Sequence, residues 1–413
     1  MKPSRREMLQ SGLLSASLLA TGATLPGFLL RTARAATPES GGRVLVVVQL
    51  SGGNDGLNTV IPYRDDRYHK ARPTLRIAAD RVLKLEQDLG LHPDMNGFKR
   101  LYDEGLLGVL TNVGYPNPDR SHFRSMDIWH TALLNPEGAR DGWLGRVVDR
   151  GEKPADATDA SAPAALHLDD QVLPLALQTQ RTPVPSIRSI DAFRLQGDAD
   201  QLEKSLASPR SGVTGGSAMD DLLFVQRTAI SACANARRLE RVRASDSNGA
   251  AYPGYALAAN LRQIAQLIGA DFGPRIYYTS LGGFDTHARQ VLAHGPLLRE
   301  LADSVAAFFD DLKAQGLADR VVLLTFSEFG RRVAENAGQG TDHGAAAPLF
   351  VAGPAVRAGV HGKAPDLGRL LEGDLRHDVD FRNVYAALLD SWLDVPSRAI
   401  LGDAFAPAAV IGT

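Results

Sequence analysis

The chain has 413 residues, 44% of them hydrophobic, enough for one large domain or two ordinary ones with a sizeable core. Its net charge of −2, with no long basic run beyond the first residues, argues against a nucleic-acid partner. A single cysteine, Cys233, excludes an intrachain disulfide.

The N-terminus carries a twin arginine, Arg5-Arg6, and then a weakly hydrophobic segment from Gly12 to Leu30 interrupted by Gly22, Pro26 and Gly27. Ala33-Arg34-Ala35 follows as a small-x-small cleavage site. This pattern predicts a twin-arginine export signal over residues 1–35, removed after Ala35. The glycines and proline lower its hydrophobicity and helix propensity, so no stable membrane span is expected in the mature form. The twin-arginine translocase is then the expected partner during export, and the mature chain, residues 36–413, works in the periplasm or as a secreted protein.

Val44 to Leu50 is a near-continuous apolar run, the pattern of a strand covered on both faces. Gly105–Tyr115, Pro274–His287, Arg320–Phe326 and Ala347–Gly353 read as four further strands. Between them lie helical periodicities. Leu298, Leu301, Val305, Phe308, Phe309 and Leu312 form one apolar stripe. Residues 218–244 and 255–270 read as two more helices, taken together as a helical insertion over about 218–270. Polar stretches at Lys153–Pro163 and Gly197–Ala218 mark loops. Strands alternating with helices predict an α/β fold: a single domain with a mostly parallel sheet flanked by helices.

In open α/β sheets, sites lie beyond the carboxyl ends of the strands. There the chain places Asp55 after the first strand, Ser121 and His122 after the second, Asp285 and His287 after the third, and Glu328 after the fourth. Asp342 and His343 precede the fifth. Oxygen and nitrogen donors gathered this way suit a divalent ion such as Zn, Mn, Mg or Ca. Each piece has a plainer reading. Asp55-Gly56 makes a turn, Ser121 caps a helix, Asp285 and His287 belong to a polar loop, and Glu328 pairs with Arg331 or Arg332. His294 reads as surface, and His92 and His167 as structural.

The stretches "VVVQLSGGNDGLNTVIPY", "NVGYPNPDRSHFRSMDIWHTA", "GGFDTH", "TFSEFGRRVAENAGQGTDHG" and "VDFRNVYAALLDSWL" resemble the bacterial exported family numbered 1501 among domains of unknown function. That family is placed by fold similarity in the alkaline phosphatase and sulfatase superfamily, and no activity is established for it. The resemblance implies an alkaline-phosphatase-like layout with one or two divalent ions. Asp55, Asp285, His287, Glu328 and His343 would be ligands, with Asp342 beside them. Phe329 stands where relatives carry a histidine, so one ligand is missing there, and His294 offers an alternative longer spacing from Asp285. Ser121 would be the nucleophile, His122 the acid for the leaving group, and Arg120, or Arg331 with Arg332, an anion clamp. A formylglycine cannot form at Pro116 in "PNPDR", and Cys233 lacks the signature, which disfavours an ordinary sulfatase. The expected function is hydrolysis of a small phosphate or related anionic ester. The alternative is a non-catalytic exported binding or scaffold protein that keeps the fold.

Overall fold

The computed structural model describes residues 42–151, 163–182, 184–190 and 250–412. The export signal and the helix expected over 218–244 lie outside the described residues.

The five expected strands form as β1 (Val44–Leu50), β5 (Leu107–Gly114), β8 (Ile276–Leu281), β9 (Val321–Ser327) and β10 (Ala347–Ala352). They belong to one sheet completed by β6 (Ala165–Leu168), β7 (Ser186–Ile187), β11 (Gly359–His361) and β12 (Val379–Asp380). The order is β11-β5-β10-β9-β1-β8-β6-β7, with β12 also on β5. Every pairing in it is parallel except those of β10, which runs antiparallel to both β5 and β9. The fold is therefore α/β with a mostly parallel sheet. A small antiparallel sheet of β2 (Val60–Ile61), β3 (Leu83–Lys84) and β4 (Gly90–Leu91) stands apart from it.

The apolar run of β1 has a direct cause. Val44, Val46, Val48 and Leu50 face one core, while Leu45 and Val47 face another on the opposite side. Helices α3 (Asn96–Asp103), α6 (Ala256–Gly269) and α7 (Gln290–Ala314) cover the first face. Helices α4 (His122–Thr131), α5 (Trp143–Gly151), α8 (Phe381–Ala387) and α9 (Ser397–Leu401) cover the second. The expected stripe from Leu298 to Leu312 is the buried face of α7. Short helices α1 (Gly56–Thr59) and α2 (Asp66–Ala71) complete the chain's first loop.

This topology positions the site. Strands β1, β8 and β9 are adjacent and parallel, and β5 runs the same way because β10 reverses between it and β9. Their carboxyl ends share one edge, where β10 begins. A parallel return from β9 would need a crossover of a dozen or more residues, usually a helix. Residues 328–346 instead form a two-armed loop: Gly330 donates to the Ala345 carbonyl (2.7 Å), Gly344 to that of Gly330 (2.8 Å) and Arg332 to that of Asp342 (3.0 Å). Glu328 and Arg331 on one arm thus meet Asp342 and His343 on the other.

Candidate metal centre

Two glycines let the loops close on each other. Gly52 (φ +119°) and Gly53 (φ +75°) turn the chain after β1 in conformations that side chains rarely adopt. A Cβ on Gly52 would overlap the backbone of Asp285, and one on Gly53 the ring of Phe329. After β5, the Tyr115 hydroxyl accepts from the Asp119 amide (3.0 Å) and bonds the Ser125 hydroxyl (2.5 Å), which fixes the approach to α4. Ser121 is the residue before that helix and His122 its first.

Asp285 Oδ1 lies 2.9 Å from His287 Nε2, 3.3 Å from His343 Nε2 and 3.5 Å from His122 Nε2. His287 Nε2 and His343 Nε2 are 2.9 Å apart. On its far side each ring meets an oxygen through Nδ1. His122 meets Glu328 Oε1 (2.8 Å), His343 the Arg120 carbonyl (2.7 Å), and His287 Asp342 Oδ1 (3.2 Å). Carbonyl and carboxylate oxygens only accept, so each Nδ1 carries the proton and donates it. In the neutral ring, Nε2 is then a lone pair. Three imidazole lone pairs and one carboxylate therefore face each other, and Arg331 is the donor among them, with Nη2 2.5 Å from Asp285 Oδ1.

Such a cluster needs a proton or a cation between its acceptors. The donor set fits a divalent metal ion. Ligands bonded to zinc at about 2.0–2.2 Å in tetrahedral geometry stand about 3.3–3.6 Å apart, close to the spacings here. The ligand atoms of His122, Asp285 and His343 all lie within 4.8 Å of one another. His122 Nε2 is buried and has no hydrogen-bond partner. Histidine ligands with the second nitrogen fixed by a carboxylate or carbonyl are the usual metal-binding form. The charges agree. Burial works against the Asp285 anion, but the hydrogen bond and charge of Arg331 outweigh it and hold the carboxyl at about 2. The hydrogen bond from His122 to Glu328 raises the histidine's pKa, so protons compete with metal there.

The remaining expected site residues are placed as follows. Glu328, 1% exposed, sits behind His122 and accepts from the Gly52 amide (2.9 Å); it pairs with neither Arg331 nor Arg332. It fixes the orientation of the His122 ring. Asp342 orients His287 and accepts from Asn336 (3.0 Å). Asp55 is fully buried away from this cluster, ion-paired with Arg72 (2.6 Å) and bonded by Gln290. The guanidinium of Arg120, expected on an anion, is paired with Asp374 (2.6 Å) because that buried carboxylate needs a counter-charge; only its carbonyl reaches the cluster. Ser121 is exposed, makes no capping bond through its side chain, and has its amide held by Asp119 (2.7 Å). His294 is buried on Asn54 (2.9 Å). The Phe329 ring packs on His122 and His343, with centroids 4.8 and 4.9 Å away. Sequence reasoning missed the buried roles of Arg72 and Arg331. Arg72 lies in "HKARPT", a stretch that reads as ordinary basic surface.

Fold and site together define an α/β protein with a histidine–carboxylate cluster at the carboxyl ends of its sheet. The sequence matches the family described as "Protein of unknown function (DUF1501)" over residues 43–391, and the chain belongs to that family. No curated protein matches it. Among solved structures, it is similar to the zinc complex of the C-terminal periplasmic domain of EcEptC from Escherichia coli. The identity is 10% and the TM-score 0.36, covering 76% of this chain and 74% of that one. Similarity to the PsFucS1 sulfatase from Pseudoalteromonas sp. is at 11% identity and TM-score 0.36, covering 94% and 78%. A protein in the alkaline phosphatase superfamily from Vibrio parahaemolyticus is similar at 9% identity and TM-score 0.35, covering 82% and 70%. At such scores the chemistry must be read from the chain's own residues.

Proposed function

We propose that the chain is an exported, metal-dependent hydrolase of phosphate or related anionic esters, with its ion held by His122, Asp285 and His343 and edged by His287. The observation that carries this reading is the convergence of three Nε2 atoms, each with its Nδ1 committed to an oxygen acceptor, on one Asp285 oxygen. Imidazole nitrogen in the donor set favours zinc or manganese over magnesium or calcium. When bound, such an ion supplies Lewis acidity toward a hydroxyl and toward the anionic oxygens of an ester. The protein supplies the rest. Glu328, Asp342 and the Arg120 carbonyl hold the three rings in one tautomer. Ser121, next to His122 and not spent on capping its helix, offers the nucleophilic hydroxyl.

The Arg120–Asp374 pair favours a second reading, a binding protein that keeps the ion without turnover, since it leaves the Arg120 side chain engaged elsewhere. Metal-loaded wild type and Ser121→Ala, assayed on aryl phosphate monoesters, phosphodiesters and sulfate esters, separate the two. Turnover by wild type and its loss in the variant are expected. Metal-bound wild type that turns over none of these esters would establish the binding reading. Export itself is tested by replacing Arg5 and Arg6 with lysine, which should retain the precursor in the cytoplasm; unchanged export would refute it.

A further inference from the structure

We propose that the Arg331 guanidinium is the resident cation of a second, oxygen-lined cation site, which shares Asp285 with the histidine cluster and limits the centre to one exchangeable divalent ion. The count of one rests on the metal reading of that cluster; the filled cage does not. Arg331 is 1% exposed. Its Nε donates to the Gly53 carbonyl (2.7 Å), Nη1 to that of Thr341 (2.8 Å), and Nη2 to those of Phe284 (3.1 Å) and Gly52 and to Asp285 Oδ1 (2.5 Å).

Four backbone carbonyls and a carboxylate thus converge on a buried guanidinium, drawn from the loops after β1 and β8 and before β10. Nη1 also lies 3.4 Å from His287 Nε2. Oxygen dipoles gathered this way need a positive charge at their centre, and an oxygen-rich cage is the environment of a hard cation such as calcium. Here the cation is covalently part of the chain, and its planar fork reaches every wall. A buried carboxylate nearby is treated the same way. Asp55 is neutralised by Arg72, whose other nitrogens donate to the carbonyls of Arg332 and Val333, both at 3.0 Å. The two guanidinium pockets therefore flank one short segment, residues 331–333.

The test uses wild type, Arg331→Ala, Arg331→Lys and Arg331→Met, with zinc, calcium and guanidinium chlorides as the probes. Equilibrium dialysis of wild type should give one zinc per chain, and calcium should not raise its Tm. The Tm of Arg331→Ala should be lower, and both calcium and low millimolar guanidinium should raise it, neither acting on wild type. If Arg331→Ala does not fold, Arg331→Lys and Arg331→Met decide through soluble folded yield and Tm. Lysine keeps the charge and methionine removes it at similar length, so the lysine variant should exceed the methionine variant in both. A methionine variant equal to or better than the lysine variant overturns the proposal. So does a folded Arg331→Ala that neither probe stabilises, and so does wild type that binds two zinc ions. Wild type that binds no zinc refutes the metal reading and the one-ion count with it, while the cage stands or falls on lysine against methionine.

Discussion

Glu328 stands behind His122 instead of beside the ligand atoms, and that placement sets what its loss should do. Its Oε1 accepts from both His122 Nδ1 and the Gly52 amide, while Oε2 accepts from the Ser327 hydroxyl (3.0 Å). Glutamine keeps one carbonyl acceptor and removes the charge. Glu328→Gln should therefore weaken zinc binding by about 10–100-fold, the usual effect of losing an outer partner of a metal-bound histidine. A competition titration against a chelator measures it; unchanged affinity would show that His122 needs no such partner. The neighbouring Phe329 adds no donor to the cluster. Its ring packs against His122 and His343, a wall of carbon beside the nitrogen cluster.

At the scale of elements, the centre is assembled from loops that a rigid edge of parallel strands brings together, and Gly52 shows how tight that assembly is. Alanine at Gly52 would combine a strained φ of +119° with a clash against the Asp285 backbone. Gly52→Ala should cost more than about 1 kcal/mol of stability and weaken metal binding, because Asp285 must move. Chemical denaturation and the same chelator titration test both; a variant as stable as wild type would mean that the two loops have room to separate. The strands themselves were legible in the sequence. Val44–Leu50 and Val321–Ser327 are buried on both faces and so read as near-continuous apolar runs, broken only by Gln49, Thr325 and Ser327. Strands β11 and β12, of three and two residues, are too short to leave a pattern. The reversal of β10 was also hidden, because direction depends on how residues 328–346 fold. Strand-end placement pointed equally to Asp55, Ser121, His122, Asp285, His287, Glu328, Asp342 and His343; which of them meet, and the part of Arg331 among them, depends on which way each side chain leaves its loop. The pairing of Asp55 with Arg72, 17 residues apart, carried no periodic signal.

For the whole molecule, four histidines outside the cluster make a pH signature. Burial pushes His130 and His294 down to about 3, and His92 and His167 down to about 4, from an ordinary 6.5. Their partners are neutral groups or lie against carboxylates too weakly to offset burial. His130 bonds the Gln49 carbonyl oxygen (2.8 Å) and His167 the Ser186 hydroxyl (2.8 Å), while His92 accepts from the Asp94 amide (3.1 Å). Because the folded pKa values lie below the unfolded ones, the unfolded chain binds more protons between about pH 4 and pH 6.5. The stability these rings contribute is fully present above about pH 6.5 and is lost as pH falls, at up to about 1.4 kcal/mol per pH unit for each ring. Urea midpoints of metal-free protein should fall steadily from about pH 7 to about pH 4.5, and a flat profile would contradict the buried neutral state. Among the described residues no helix is long and apolar enough to cross a membrane.

All of this turns on whether the cluster at the carboxyl ends of the sheet holds a metal ion. Protein purified from its own export route, wild type and His343→Ala, should be analysed for metal content and by X-ray absorption at the edge of the metal found. One divalent ion per wild-type chain is expected, in a shell of nitrogen and oxygen at about 2.0–2.2 Å, with loss of that ion in the variant. Wild type that carries no ion and takes up none from zinc or manganese, or an ion that persists unchanged without His343, would contradict it.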